Sequence, residues 1–391
     1  MEIRELFKKE FGRESQLVAR APGRVNLLGE HVDYNDGLVL PAAINREVQL
    51  AASLTAEPLV SLYAIDLDER VTISLDRLDK KLDLDGKPLP GWALYPAGVA
   101  WVLQEDGFQV AGIQAVYSSD IPIGAGLSSS AAVEVGFAVL WQAVGKWDID
   151  RLKLAKLCQR AENVYVGVSC GLMDQFASAC SIAGQALCFD TRSLEWEPAP
   201  LPSGIALIIA DSGVRRALAS SAYNQRRAEC EQAVAELKRW MPGIRSLRDI
   251  SPTEFAAYSF YLPSVIRRRA EHVVKEIARV QSAVSVLRRE DIQAFGALMY
   301  SGHASLRDLY EVSTPELDKL VEITRQLPGC FGSRLTGAGF GGCTISLVEE
   351  EKAPDFIQGL KEGYQQGTGR QAQVYSCKAS DGASVQFLNN S

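Results

Sequence analysis

The segment Ile121-Pro-Ile-Gly-Ala-Gly-Leu-Ser-Ser-Ser-Ala-Ala132 joins two apolar runs through glycines and hydroxyls, and so limits the folds open to the chain. Upstream, Ile113 to Ser118 has the mixed apolar character of a strand. Downstream, Val133 to Val144 is rich in alanine and valine and free of proline, as a buried helix is. Gly124 and Gly126 let the backbone turn tightly and come close to a ligand. The serines then fall in the first helical turn, where unpaired N–H groups and the helix dipole favour an anion. Two readings stay open on these residues alone: a phosphate cradle, or an ordinary capped turn built from common turn and N-cap residues.

A chain of 391 residues can bury a substantial core and is long enough for two domains. With 47% apolar and 23% charged residues it has the balance of an ordinary globular protein. A net charge of -7 argues against a nucleic-acid partner, which usually meets a basic face, and leaves room only for a local basic site. The N-terminal stretch MEIRELFKKEFGRE lacks the apolar core of a secretory signal, and no run of about 18 apolar residues appears. The expectation is a cytoplasmic protein. Its eight cysteines include no C-x-x-C pair, so zinc and redox motifs are unsupported and reduced structural thiols are expected.

Residues 2 to 10 read as an amphipathic helix with Leu6 and Phe7 turned inward, ended by Gly12. Val48 to Ser53, Leu59 to Ile65 and Val71 to Leu75 read as strands of one sheet, and Tyr95 to Leu103 as a helix. Asp148 or Asp150 can cap a further helix with Leu154, Cys158, Ala161 and Tyr165 on one face. Gln185 to Asp190 reads as a strand, and Pro198, Pro200 and Pro202 mark the expected boundary between domains 1–198 and 199–391. The apolar run Ile205 to Ala210 suits a strand covered on both faces. Helical spacing marks Cys230 to Leu237 and Val273 to Leu287, while Arg267-Arg-Arg269 reads as a solvated helix face.

Two nucleotide fingerprints are excluded. A P-loop needs a Gly-Lys-Ser/Thr ending that the 124–132 loop lacks, and Gly337-Ala-Gly-Phe-Gly-Gly342 precedes a strand, Thr344 to Val348, where a dinucleotide loop opens a helix. Phosphoryl transfer needs a phosphate cradle, a cation held by oxygens, and groups that handle the acceptor hydroxyl and developing charge. Ser128, Ser129 and Ser130 supply hydroxyls, and Glu162 is an oxygen ligand of the type Mg²⁺ selects, although a helical glutamate is also commonly just solvated. Asp174 lies among small and apolar residues, where a carboxylate needs a partner or serves as an N-cap. Arg24 is the candidate partner, and its guanidinium could steady charge during transfer. His31, flanked by Glu30 and Asp33, makes polyol recognition plausible.

In this combination the chain resembles the galactokinases, of the small-molecule kinase superfamily that includes homoserine, mevalonate and phosphomevalonate kinases. Gly23-Arg-Val-Asn-Leu-Leu-Gly-Glu-His-Val-Asp-Tyr-Asn-Asp-Gly37 resembles their signature, Gly126-Leu-Ser-Ser-Ser-Ala-Ala132 the phosphate motif, and Gly332-Ser-Arg-Leu-Thr-Gly-Ala-Gly-Phe-Gly-Gly342 the third motif. Similarity extends through Cys170 to Gln175, Tyr223 to Arg227 and Ser305 to Asp308. The resemblance implies an α+β two-domain fold: an N-terminal domain like ribosomal protein S5 domain 2, a C-terminal ferredoxin-like domain, and the active site between them. The third motif would then pack against the phosphate cradle.

It further implies ATP- and Mg²⁺-dependent phosphorylation of the anomeric hydroxyl of α-D-galactose. Asp174 would accept the proton and Arg24 stabilise charge. Glu30, His31, Val32, Asp33, Gly171 and Tyr223 would line the sugar site. Gly124, Ala125, Gly126, Leu127, Ser128, Ser129 and Ser130 would hold ATP, with Ser130 and Glu162 on the metal. The implied partners are small molecules only, without nucleic acid or membrane, and the chain is expected to be a monomer. Val32 replaces a common threonine, and Val214-Arg-Arg216 departs from a commoner Val-Lys-His pattern. The alternatives are a kinase for N-acetylgalactosamine or L-arabinose, and a non-catalytic galactose sensor, against which the intact Ser128 to Ala132 stands.

Overall fold

The computed structural model describes residues 2–122, 124–215 and 219–388; Arg216 lies outside them. The first part of the chain forms α1 (Ile3–Phe11), β1 (Leu17–Asn26), β2 (Leu38–Val39), β3 (Pro41–Leu54), β4 (Leu59–Ala64), β5 (Glu69–Ser74), α2 (Leu94–Glu105) and β6 (Ile113–Ser119). Next come α3 (Ser129–Gly145), α4 (Arg151–Arg160), α5 (Met173–Cys180), β7 (Gln185–Asp190), β8 (Trp196–Pro200) and β9 (Ile205–Asp211). The remainder forms α6 (Ala219–Leu237), α7 (Pro252–Tyr258), α8 (Ser264–Leu287), α9 (Ile292–Ser305), α10 (Pro315–Thr324), β10 (Cys330–Thr336), β11 (Cys343–Glu349), α11 (Ala353–Thr368), β12 (Gln373–Cys377) and β13 (Ser384–Phe387).

A six-stranded sheet runs β13-β1-β3-β6-β4-β5, a four-stranded sheet β10-β11-β9-β12, and a small sheet β2-β7-β8. The three runs read as strands of one sheet fall on β3, β4 and β5 of the first. In β4, Val60, Leu62 and Ala64 are buried while their neighbours are half-exposed, the alternation of a sheet covered on one face. Ile3 and Phe7 of α1 pack on Ala51 and Val116, with Leu6 only half-buried, and Gly12 closes the helix at φ 69°. β9 separates two cores, with Leu207 and Ile209 facing one and Ala206, Ile208 and Ala210 the other. That explains its uninterrupted apolar run. No helix among the described residues is long and apolar enough to cross a membrane.

Pro198 and Pro200 lie within β8, an edge strand where a missing N–H costs the ladder little, and β13 returns to pair with β1. The Arg267-Arg-Arg269 triple is only partly the solvated face expected: Arg267 is exposed and Arg268 half-buried. Arg269 is buried, donating to Glu229 at 3.0 Å, Glu311 at 2.6 Å and the Leu309 carbonyl at 2.6 Å. Helical periodicity shows which residues share a face, but carboxylates from distant segments set where the core ends.

α9 lies directly on β10. A Cβ on Gly296 would stand 1.9 Å from the Phe331 carbonyl oxygen, and one on Gly332 2.4 Å from the Gly296 Cα. Gly296→Ala is therefore expected to destabilise the protein by about 1–3 kcal/mol through overpacking. The check is a lowered urea midpoint with an unchanged m-value.

Candidate active site

The glycine-serine segment is folded tightly, with Gly124 at φ 69°, Gly126 at φ 78° and, less usually, Ser128 at φ 61°. α3 starts at Ser129, yet the Ser128 side chain does not cap it. The ordinary capped-turn reading therefore fails, and the Ser128 hydroxyl instead donates to Asp174 Oδ2 at 2.6 Å. The third motif starts within β10, and its part 337–342 lies between the paired strands β10 and β11, with Thr336 opposite Cys343, so that part is a hairpin loop and opens no helix. It packs on the cradle as expected: a Cβ on Gly337 would be 3.1 Å from the Gly126 carbonyl oxygen, and one on Gly342 3.1 Å from that of Ala125.

Asp174 sits inside the first turn of α5, whose N-cap position is Leu172, so it is not the helix cap. Its carboxylate faces Arg24 from the end of β1. Arg24 Nε donates to Oδ1 at 2.9 Å and Nη2 to Oδ2 at 2.8 Å, while Nη1 donates to the Gly126 carbonyl at 2.6 Å. A forked guanidinium on a carboxylate fixes both distance and orientation. This pair lies on the wall of a cavity of about 650 Å³ that Glu30, His31, Asp33, Gly171 and Tyr223 also line.

Gly171 is required by Asp33: a Cβ there would lie 1.8 Å from Asp33 Oδ2. Burial, then the negative charge of Asp174, pushes the Asp33 carboxyl up to about 6. Burial likewise raises Glu30 to about 7, only partly offset by its ion pair with Arg334. His31 is held at φ 63° with both ring nitrogens engaged, Nδ1 with the Tyr34 hydroxyl at 2.8 Å and Nε2 with the Ala338 carbonyl at 3.0 Å. Because a carbonyl only accepts, Nε2 carries the proton and Nδ1 accepts from Tyr34. Burial, then His272, drops His31 to about 3, keeping it neutral. Its ring packs against that of Tyr223 at 5.4 Å. Val32 is fully buried.

Glu162 sits on a π-helical turn, Ala161–Val166, that follows α4. The Ser130 hydroxyl hydrogen-bonds it, Cys170 Sγ donates to its Oε2 at 3.1 Å, and Gln175 Nε2 donates to the same oxygen at 2.6 Å. The other Gln175 amide hydrogen reaches Glu134 Oε2 at 3.0 Å. Burial raises both carboxyls, and the charge of Glu162 raises Glu134 further. Glu134 is fully buried, and its Oε1, like that of Gln175, has no hydrogen-bond partner. An uncompensated acidic oxygen set of this kind fits a hard divalent cation. Among the described residues no group of three His, Cys, Asp or Glu could hold a metal. Sequence reasoning missed Glu134. Its signal was a lone carboxylate inside the apolar run Val133 to Val144.

Residues 5–54 match the galactokinase galactose-binding signature, residues 95–181 the GHMP kinases N terminal domain, and residues 283–366 the GHMP kinases C terminal domain. A galactokinase of Roseiflexus sp. (strain RS-1) is 46% identical over 97% of this chain and 96% of its own. The chain belongs to the galactokinase family. The galactokinase of Homo sapiens is 42% identical over 99% of this chain and 96% of its own. A crystal structure of Lactococcus lactis galactokinase complexed with galactose superposes with a TM-score of 0.91 at 32% identity, covering 97% of this chain and 98% of that one. As in that family, the chain is an ATP-using sugar kinase of two-domain α+β fold.

The Glu30 carboxyl predicts a pH effect on the free protein. Because its folded pKa of about 7 exceeds the usual value of 4.5, the folded state holds more protons between the two. Its contribution to stability is intact below about pH 4.5 and is lost as pH rises to 7. Relative to wild type, Glu30→Gln should gain on the order of 3 kcal/mol across that window. Urea unfolding at both pH values checks this.

Proposed function

We propose that the chain transfers the γ-phosphoryl group of ATP to the anomeric hydroxyl of α-D-galactose, giving galactose 1-phosphate and ADP, with Mg²⁺ as the required cation. The observation that carries this reading is the forked Arg24–Asp174 pair, held between the glycine-serine cradle and a cavity whose wall also carries Glu30, His31 and Asp33. The Asp174 carboxylate receives the proton of the anomeric hydroxyl, whose oxygen bonds to phosphorus as the bond to the ADP oxygen breaks. Arg24 orients that carboxylate and balances negative charge as it moves toward the acceptor. Glu30 and Asp33 accept hydrogen bonds from sugar hydroxyls, and Tyr223 covers one side of the ring. His31 shapes the wall through its ring, since its nitrogens already have partners.

Gly124 to Ser130 seat the triphosphate at the uncapped start of α3. Ser130 and Glu162 would hold Mg²⁺, with Glu134 behind them through Gln175, and the ion supplies charge neutralisation to the phosphate oxygens. We assign the work to two lobes, residues 1–198 and 199–391, with β13 of the latter returning to the sheet of the former, in a cytoplasmic monomer whose partners are the sugar and ATP, not nucleic acid or membrane.

A coupled ADP-release assay over galactose, N-acetylgalactosamine and L-arabinose tests the acceptor. Galactose is expected to give the highest kcat/KM, and preference for either other sugar overturns it. Absence of galactose-dependent ADP release would leave a sensor. Asp174→Asn should lower kcat about 10²–10⁴-fold while calorimetric galactose binding stays near wild type. Near-normal turnover removes Asp174 from the proton-accepting role.

A further inference from the structure

Asp33 stands on a 3₁₀ turn, Asp33–Asn35, that lies between β1 and β2 and is held from outside the cavity by residues of two other segments. Thr191, just past β7, directs its hydroxyl at the Asp33 carbonyl at 3.1 Å and the Gly37 carbonyl at 2.9 Å, and its N–H reaches Gly37 at 3.2 Å. Arg248, between α6 and α7, donates to the Asp36 carbonyl at 2.7 Å and forks onto the Asp190 carboxylate. Arg192 donates to Asp36 Oδ2 at 3.1 and 3.2 Å, to Asp249 at 2.6 Å and to Ser246 at 2.8 Å. Asp249 is itself fixed, accepting from the N–H groups of Arg245 and Ser246. Asp36 closes the turn at φ 59°, a left-handed conformation that a non-glycine residue holds only when its surroundings impose it.

We infer that Thr191, Arg192 and Arg248 are positioning residues that set the Asp33 carboxylate for the sugar and thereby determine galactose affinity. The inference rests on the reading of Asp33 as a sugar contact. None of the three lines the cavity, and their hydrogen bonds end on backbone carbonyls, outer carboxylates and the Ser246 hydroxyl, so they act through the turn. The Asp33 carboxylate lies close against Gly171, where a Cβ would come within 1.8 Å of its Oδ2, and on the other side it faces the cavity. A small displacement of the turn therefore changes its reach into the cavity, without touching Arg24, Asp174 or the cradle.

The test measures galactose Kd by calorimetry, with kcat and KM for ATP, in the full chain carrying Thr191→Val, Arg248→Met, Arg248→Lys or Asp33→Asn. Thr191→Val and Arg248→Met are expected to weaken galactose binding roughly tenfold, about 1.4 kcal/mol, with kcat and the ATP KM within about twofold of wild type. Arg248→Lys should fall between, because an ammonium keeps the charge and loses the fork. Combining Thr191→Val with Asp33→Asn should add little to Asp33→Asn alone. If Asp33→Asn weakens galactose binding and the Thr191 and Arg248 variants do not, the clamp is wrong and the sugar contact stands. If Asp33→Asn leaves binding unchanged, the sugar contact fails and the clamp with it. Equal losses in galactose affinity, ATP KM and kcat would reduce the three residues to general structural support and overturn the inference.

Discussion

Arg334 is fully buried, and the arrangement of the active site depends on how its charge is compensated. It enters from β10 and pairs with Glu30, which follows β1, and with Glu276 of α8 at 2.8 Å. Glu276 in turn accepts from the Gly29 N–H at 2.8 Å and pairs with Arg279. Taking such charges out of water costs several kcal/mol per ion, and the pairings offset that cost only in a narrow set of geometries. The knot thus does more to specify a unique arrangement than to add net stability. It joins the four-stranded sheet to the turn that carries the proposed sugar-binding residues, and the Glu30 carboxyl becomes sensitive to pH because its burial is only partly offset by Arg334.

The same economy recurs one layer away. Arg24 shares its guanidinium between Asp174 and the Gly126 carbonyl, so one side chain sets both the proposed proton acceptor and the cradle. Gln175 divides its amide hydrogens between two buried carboxyls. In each case a multidentate donor fixes two elements from different parts of the chain. A site made this way keeps its geometry before any ligand arrives, the preorganisation that electrostatic catalysis requires.

Local features were legible in the sequence wherever the cause was local. Gly12 ending α1, the alternation of β4 and the two-faced burial of β9 follow from backbone freedom and side-chain period. The motif residues were legible as a set because few chemistries need glycines, serines and isolated carboxylates together. What stayed hidden were long-range partners. Asp174 could be a cap or half of an ion pair, and only the approach of Arg24, 150 residues away, decides it. Arg269 looked solvated because Glu229 and Glu311 are remote in sequence. Thr191, Arg192 and Arg248 carry no motif at all.

The meeting of the cradle with the third-motif hairpin is made of main chain on both sides, glycine against carbonyl oxygen. Apart from Arg24, which donates to the Gly126 carbonyl, the contact offers no rotamer to change, so the depth of the proposed triphosphate seat is largely a property of chain path. The opposite wall is set by side chains and an externally tethered turn. On the proposed assignment, acceptor preference can drift by exchange of residues around Asp33, Gly171 and Tyr223 while the donor seat stays unchanged, a separation that would let one scaffold be retuned to new sugars without rebuilding its use of ATP.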